Sequence, residues 1–223
     1  MANEVPALAS LPGLSSRASL IADAIRDSIL KGIFPPGTEL VERQLAEMFG
    51  ISKTPVREAL ISLARSGLIT MSPNRGSTVR VLDEAAVRSI YEMRLLLEPH
   101  AVRRATEDFP SRVLKQARQT LEDARDAIDR ADYGELSLVN RRFHRLLYSA
   151  CGNPLIVVAL DEVQDQLALL AVSMLWRDES PSWEQEYQEH RRLCDAVGAG
   201  DAERAAELMT AHIEASLEKT RVS

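Results

Sequence analysis

The spacing of apolar positions changes character twice along the chain. From about Ser19 to Lys31, Leu20, Ile21, Ala24, Ile25, Ser28 and Ile29 recur every three to four residues, predicting an amphipathic helix that ends at Gly32. Leu45, Met48 and Phe49 mark a second, shorter helix from Val41 to Phe49, stopped by Gly50. A third follows, in which Val56, Ala59, Leu60 and Leu63 share one face. Ser52 or Thr54 suits its N-cap, and Pro55 suits the first helical position after Thr54, where its missing N–H costs nothing. Gly67 reads as a left-handed C-cap, and two strands follow, Leu68–Ser72 and Ser77–Leu82, joined by the turn Pro73-Asn74-Arg75-Gly76. From Asp83 the helical period returns over about 83–107, 111–131, 133–151, 154–177, 182–198 and 201–219, broken at Pro110, Gly152-Asn153-Pro154, Ser180-Pro181 and Gly198-Ala199-Gly200.

This pattern predicts a mainly α protein: an arm over 1–18 with no sustained period, a winged helix-turn-helix with a small β wing over 19–82, and an all-helical bundle of about six antiparallel helices over 83–223. The apolar run LIVVALDEVQDQLALLAVSML suits either a central helix of that bundle or a dimer face.

In the third helix the apolar face leaves Lys53, Thr54, Arg57 and Glu58 pointing outward. A basic N-terminal turn of this kind suits DNA, because the helix dipole and free N–H groups favour phosphate while Arg can form two hydrogen bonds with a guanine edge. Arg75, at the wing tip, is placed for the adjacent backbone or minor groove. Taken singly, each charge better fits a solvated helix face; the joint order of helix, turn, helix and wing reverses that and favours a DNA reader.

The net charge of −6 is uneven: residues 1–80 hold nine Lys/Arg against seven Asp/Glu, and residues 81–223 hold 18 against 26. A slightly basic head on an acidic body fits a protein whose head alone meets DNA, and excludes a nonspecific architectural binder, which needs far more positive charge. No apolar run reaches membrane-spanning length and no signal-peptide pattern opens the chain, so the expectation is a cytoplasmic protein with no membrane partner. Cys151 and Cys194, without CxxC spacing, read as buried reduced thiols.

The four histidines carry the remaining chemistry. His100, after Glu98-Pro99, reads as structural. His144 lies one turn after Asn140 on the same helical face. His190 precedes Gly198 by eight residues and His212 follows Asp201 by eleven, so an antiparallel hairpin carries both to nearly the same height. Three imidazoles and one oxygen converging inside a bundle suit zinc, nickel, cobalt or manganese, although spacing alone leaves satisfied structural histidines open. A metalloenzyme is the rival reading. Against it, no acidic general base is evident beside the histidines except Glu189, which points a different way from His190.

The runs PGTELVERQLAEMFGISKTPVREAL and GLITMSPNRGSTVRV closely resemble the DNA-binding domain of GntR-type bacterial transcription regulators, over roughly residues 19–82. The resemblance implies DNA contacts at Arg43, Ser52, Lys53, Thr54, Arg57, Arg75 and Gly76. Lys53 departs from the Arg usual there, offering a point charge in place of a fork. NRRFHRLLYSACGNP, the pair Glu189-His190 and GDAERAAELMTAHI resemble the FCD ligand-binding domain of the FadR subfamily, across about residues 85–220. That resemblance implies a divalent metal, zinc or nickel foremost, on Asn140, His144, His190 and His212, with Asn140 standing where the family has Asp and so giving up a ligand charge. It also implies a pocket Arg at Arg94, which with the metal would favour a small carboxylate effector. Arg141, flanked by Arg142 and Arg145, reads as part of a charged face. Together these imply a non-enzymatic, ligand-responsive repressor that acts as a homodimer on a short inverted repeat in double-stranded DNA.

Overall fold

The computed structural model describes residues 14–72, 76–175 and 183–221. Helix α1 (Leu14–Leu30) begins five residues before the expected Ser19 and so takes up the end of the segment expected as an arm; residues 1–13 lie outside the described residues. Its buried face differs from the predicted one. Ala18, Ile21, Ala22, Ile25, Ile29 and Leu30 face inward, while Leu20 is 68% exposed and Ala24 is exposed. One helical stripe cannot hold both Leu20 and Ala22, and the stripe that meets α3 (Lys53–Arg65) is the one through Ala22.

A two-residue strand β1 (Glu39–Leu40) precedes α2 (Glu42–Phe49), and β2 (Ile69–Ser72) and β3 (Gly76–Val79) follow α3. The three strands form one antiparallel sheet in the order β1-β3-β2, with Leu40 opposite Ser77 and Ile69 opposite Val79. The first strand is too short to show a period in the sequence. In α2, Leu45 and Ala46 are buried while Met48, expected in the core, is 65% exposed. Gly50 closes that helix in the left-handed conformation (φ 64°), its N–H bonding back to Ala46 and Glu47. Helix α3 starts at Lys53, so Pro55 occupies its third position rather than its first; the N–H it lacks would be unsatisfied throughout the first turn. Ser52 holds the N-cap position without a side-chain cap bond.

The second wing strand ends three residues early, at Val79, because Asp83 already caps α4 (Glu84–Thr106), its carboxylate accepting from the Ala86 N–H at 2.8 Å. Helices α5 (Ser111–Asp129), α6 (Tyr133–Tyr148), α7 (Pro154–Leu175), α8 (Trp183–Gly198) and α9 (Ala202–Arg221) complete the bundle. Helix α4 packs most extensively against α9, α5 against α6, and α8 against α9 and α5. Helix α7 is core from Leu160 onward but leaves Leu155 and Val158 exposed near its start. Cys151 and Cys194 are buried free thiols.

Head and body share one contiguous apolar core, running from Ile25 and Leu60 through Ile90 to Leu160 and Ile213. Polar ties reinforce the seam. Arg26 of α1 donates to Asp165 of α7 at 2.9 Å, and Arg80 donates to Gln166 at 3.0 Å. Gly67, at φ 76°, sits against the same Gln166: a Cβ there would lie 2.9 Å from its amide. The left-handed backbone strains any other residue there, and a Cβ would also have to push the Gln166 amide aside, so Gly67→Ala should lower stability by about 1 kcal/mol, read by urea denaturation.

Candidate metal centre and DNA-reading face

The metal candidates lie on three helices. His144 projects from α6, His190 from α8 and His212 from α9, and all three are buried. The Nε2 atoms of His144 and His190 are 3.1 Å apart, and those of His190 and His212 are 3.4 Å apart. One nitrogen of each ring lies within 4.8 Å of the others. The α8–α9 hairpin thus brings His190 and His212 to one height, as their spacing from the Gly198–Gly200 turn predicts.

What lies behind the rings decides their chemistry. Nδ1 of His144 meets Glu98 at 2.5 Å, and Nδ1 of His212 meets Glu189 at 2.8 Å. A carboxylate at Nδ1 fixes the proton there, which leaves the Nε2 lone pair turned toward the other rings. The Nε2 of His190, which lies close to both of these lone pairs, can either donate its own proton to one of them or, protonated at Nδ1 instead, join them around a cation. The donor set therefore fits a divalent ion of the imidazole-preferring kind. Glu98, which the sequence did not single out, thus stands behind His144, while Glu189, expected to point away from His190, stands behind His212 instead.

Glu98 is fully buried and also accepts from Arg94 Nε at 2.9 Å and from Gln164 at 3.0 Å. Burial alone would push its carboxyl up, but Arg94 and His144 outweigh this and hold it down to about 2. Burial, with the positive field of His144 and Arg94, brings His212 down to about 4 against the pull of Glu189, and burial holds His190 well below the ordinary histidine value. Both rings are neutral at pH 7 and available as ligands. His100, by contrast, is exposed and takes no part in this cluster.

A cavity of about 90 Å³ opens beside the cluster, with Arg94, Asn140, Arg141, His144, Trp183 and His212 in its wall. That is room for roughly six to nine waters, or for a small organic molecule. Arg94 is 1% exposed, so it is no surface helix residue, and its Nη2 has no hydrogen-bond partner. It is not an isolated positive centre either, because Glu98 pairs with it. Asn140 lines the cavity with its amide nitrogen donated to Glu186 at 2.8 Å, which leaves its carbonyl oxygen as its ligand atom. Burial raises Glu186 to about 7. Arg141, expected on a charged outer face, instead stands in the cavity wall, paired to the buried Asp165.

On the head, Ser52, Lys53, Thr54 and Arg57 are all exposed along the first turns of α3. Arg57 lies 3.9 Å from Glu42, and exposed Arg43 bonds to Glu47 at 2.9 Å. Gly76 opens β3 at φ 74°, exposed and opposite Ser72. Arg75 lies outside the described residues.

Residues 17–79 match the family of bacterial regulatory proteins called gntR, and residues 89–215 match the FCD domain. The chain belongs to the gntR family. This gntR-family protein is 30% identical over 198 residues to the HTH-type transcriptional repressor RspR of Escherichia coli strain K12, an alignment spanning 88% of this chain and 86% of RspR. It is 29% identical over 189 residues to the HTH-type transcriptional regulator YdhC of Bacillus subtilis strain 168, covering 84% of each. The fold of E. coli McbR/YncC superposes with a TM-score of 0.81 at 23% identity, over 92% of this chain and 98% of that one. The gntR-family chain is accordingly a transcription regulator and not an enzyme, and its HTH domain binds DNA. Among the described residues no helix is long and apolar enough to cross a membrane.

Sequence reasoning missed Glu98, Trp183 and Asp165. A signal for Glu98 was present: Arg94 and Glu98 are one turn apart inside the largely apolar MRLLLEPHAV, a place where a charged pair is buried or functional.

Proposed function

We propose that this regulator is a homodimeric repressor whose operator affinity is set by a small carboxylate bound beside a divalent metal in the helical domain. The observation that carries the reading is the convergence of three Nε2 atoms, two of them on rings anchored from behind by carboxylates, beside a cavity whose wall holds His144, His212 and the unsatisfied Arg94. His144, His190 and His212 hold the metal, with the Asn140 carbonyl as a weaker, neutral fourth ligand. Bound there, the ion supplies an open coordination position for an oxygen anion, and Arg94 supplies the hydrogen bond beside it.

Adding zinc or nickel to metal-free protein should raise its melting temperature, since whatever binds the native state stabilises it. In His190→Gln the rise should disappear. An equal melting temperature with and without metal would remove the metal from this reading.

On the head, Arg43, Ser52, Lys53, Thr54, Arg57, Arg75 and Gly76 are the DNA contacts we infer, one head per half of an inverted repeat. Arg57→Ala should weaken specific binding by about tenfold or more per half-site while leaving the fold intact, measured by gel shift on a duplex selected from a random-sequence pool. Affinity within twofold of wild type would count against it. Dimerisation through the body is supported by the exposed apolar side chains of Met93 and Leu96 on α4 and Leu155 and Val158 on α7, two helices that pack together.

For transmission, Asp165 is the natural link: it pairs with Arg141 of the cavity wall and with Arg26 of the head. Asp165→Asn should leave DNA binding in place and blunt its response to the effector.

A further inference from the structure

Two buried side-chain polar atoms among the described residues lack a hydrogen-bond partner, Arg94 Nη2 and Trp183 Nε1. Both residues line the same cavity. Each atom is a donor sealed from bulk water, and a donor left unpaired in that state is costly enough that native structures rarely keep one. Two in one cavity wall, with none recorded elsewhere in the described chain, point to an occupant that brings its own acceptors.

The two donors differ in kind. Arg94 carries charge, and the imidazole cluster stands beside it. Trp183 is neutral: it opens α8, stacks on Tyr133 of α6 with ring centroids 5.8 Å apart and an interplanar angle of 17°, and so is held as a rigid plate. The indole N–H can donate to a charged or a neutral oxygen; on the same wall Glu186 disfavours a second negative charge while Arg141 and Lys219 favour one. The hydroxyls of Ser137, Ser216 and Thr220 line the cavity as well, adding neutral partners.

We infer that Trp183 is a specificity residue of the effector site, and that the effector is a carboxylate carrying a second hydrogen-bond acceptor, such as a hydroxyl or carbonyl oxygen, that takes the Trp183 indole N–H while the carboxylate takes Arg94. This rests on the carboxylate reading proposed above and narrows it. The unmet donors select the ligand: an acid with a methyl group in place of the distal oxygen leaves the indole N–H buried and unpaired, which is the arrangement that sites reject most strongly.

The test is a calorimetric titration of zinc-loaded full-length protein with straight-chain acids of three to six carbons, each as a matched pair ending in methyl or in hydroxyl. At one chain length the hydroxy acid should bind about tenfold or more tightly than its methyl partner. In Trp183→Phe, which keeps the stack on Tyr133, that ratio should fall to within twofold while the methyl-terminated acid binds as before. In Arg94→Gln both members should weaken together. Loss of binding in Arg94→Gln with the hydroxyl preference intact in Trp183→Phe overturns the role of Trp183 and spares the carboxylate reading. Unchanged affinities in Arg94→Gln overturn the carboxylate reading itself. Absence of binding by every acid at millimolar concentration, or binding with no hydroxyl preference in the wild type, overturns this inference.

Discussion

Glu98→Ala is expected to be the most damaging single substitution outside the apolar core. Its carboxylate has no exposure, and its two oxygens serve the Arg94 guanidinium, the His144 ring and the Gln164 amide. Truncation leaves Arg94 charged at 1% exposure with no counter-ion, and removing one partner of a buried pair costs about 3–5 kcal/mol because the other charge stays behind. For a chain of this size that corresponds to a fall in melting temperature of about 6–20 °C. Glu98→Gln should cost less, since an amide oxygen still accepts from Arg94 Nε while the charge is lost. The exposed pair Arg88–Glu84, of similar length at 2.8 Å, provides the contrast: Glu84→Ala should change stability by about 0.5 kcal/mol or less. Urea denaturation of the three variants at pH 7 measures all of this, and a loss below about 1 kcal/mol in Glu98→Ala would mean that Arg94 finds another acceptor.

The parts of the fold legible in the sequence were those set by local periodicity. Helix ends at Gly50, Pro110 and Asn153-Pro154 follow from residues that cannot continue a helix or that cap one, and the six body helices fall where the period places them. The parts not legible depend on partners distant in the chain. Which stripe of α1 faces inward depends on α3 and on Asp165 far along the chain, so Leu20 and Ala22 cannot be ranked from spacing. A two-residue strand such as β1 exists only because β3 is there to pair with it. At the site, the histidines showed themselves through residue type and helical height. The groups around them did not: Glu98 lies on α4, two helices before His144 on α6, and the unpartnered indole of Trp183 is visible only in the folded cavity wall. Arg141 reads as surface among its charged neighbours until Asp165 is found beneath it.

The metal-free protein should lose stability as pH falls from about 6.5 toward 5. His190 and His212 both have folded-state values below the ordinary histidine value, His212 at about 4, because burial penalises their charged forms. An unfolded chain protonates both rings below about 6.5 while the native state does not, so the unfolded state binds the extra protons and stability falls with pH. Glu186 works in the opposite direction. Its carboxyl, raised to about 7 by burial, takes up a proton in the native state over the same window, and this favours the native state as pH falls. Two rings against one carboxyl leave a net difference of about one proton, or about 1.4 kcal/mol lost per pH unit between about 6 and 5. Below about 4.5 the loss steepens, because Glu98, held down at about 2, stays ionised natively while its unfolded counterpart protonates. Urea melts in chelator at pH 7, 6 and 5 measure the slope, and His212→Gln should remove one of the two opposing histidines and bring it close to zero. Because His190 and His212 are already unprotonated in the native state down to pH 5, zinc displaces no proton from them in this window, so added zinc should raise stability at pH 7 and at pH 5 alike and leave the slope set by these two rings in place. A metal-free protein equally stable at pH 7 and pH 5, with no change in His212→Gln, would show that these rings bind protons as readily in the native state as in the unfolded chain.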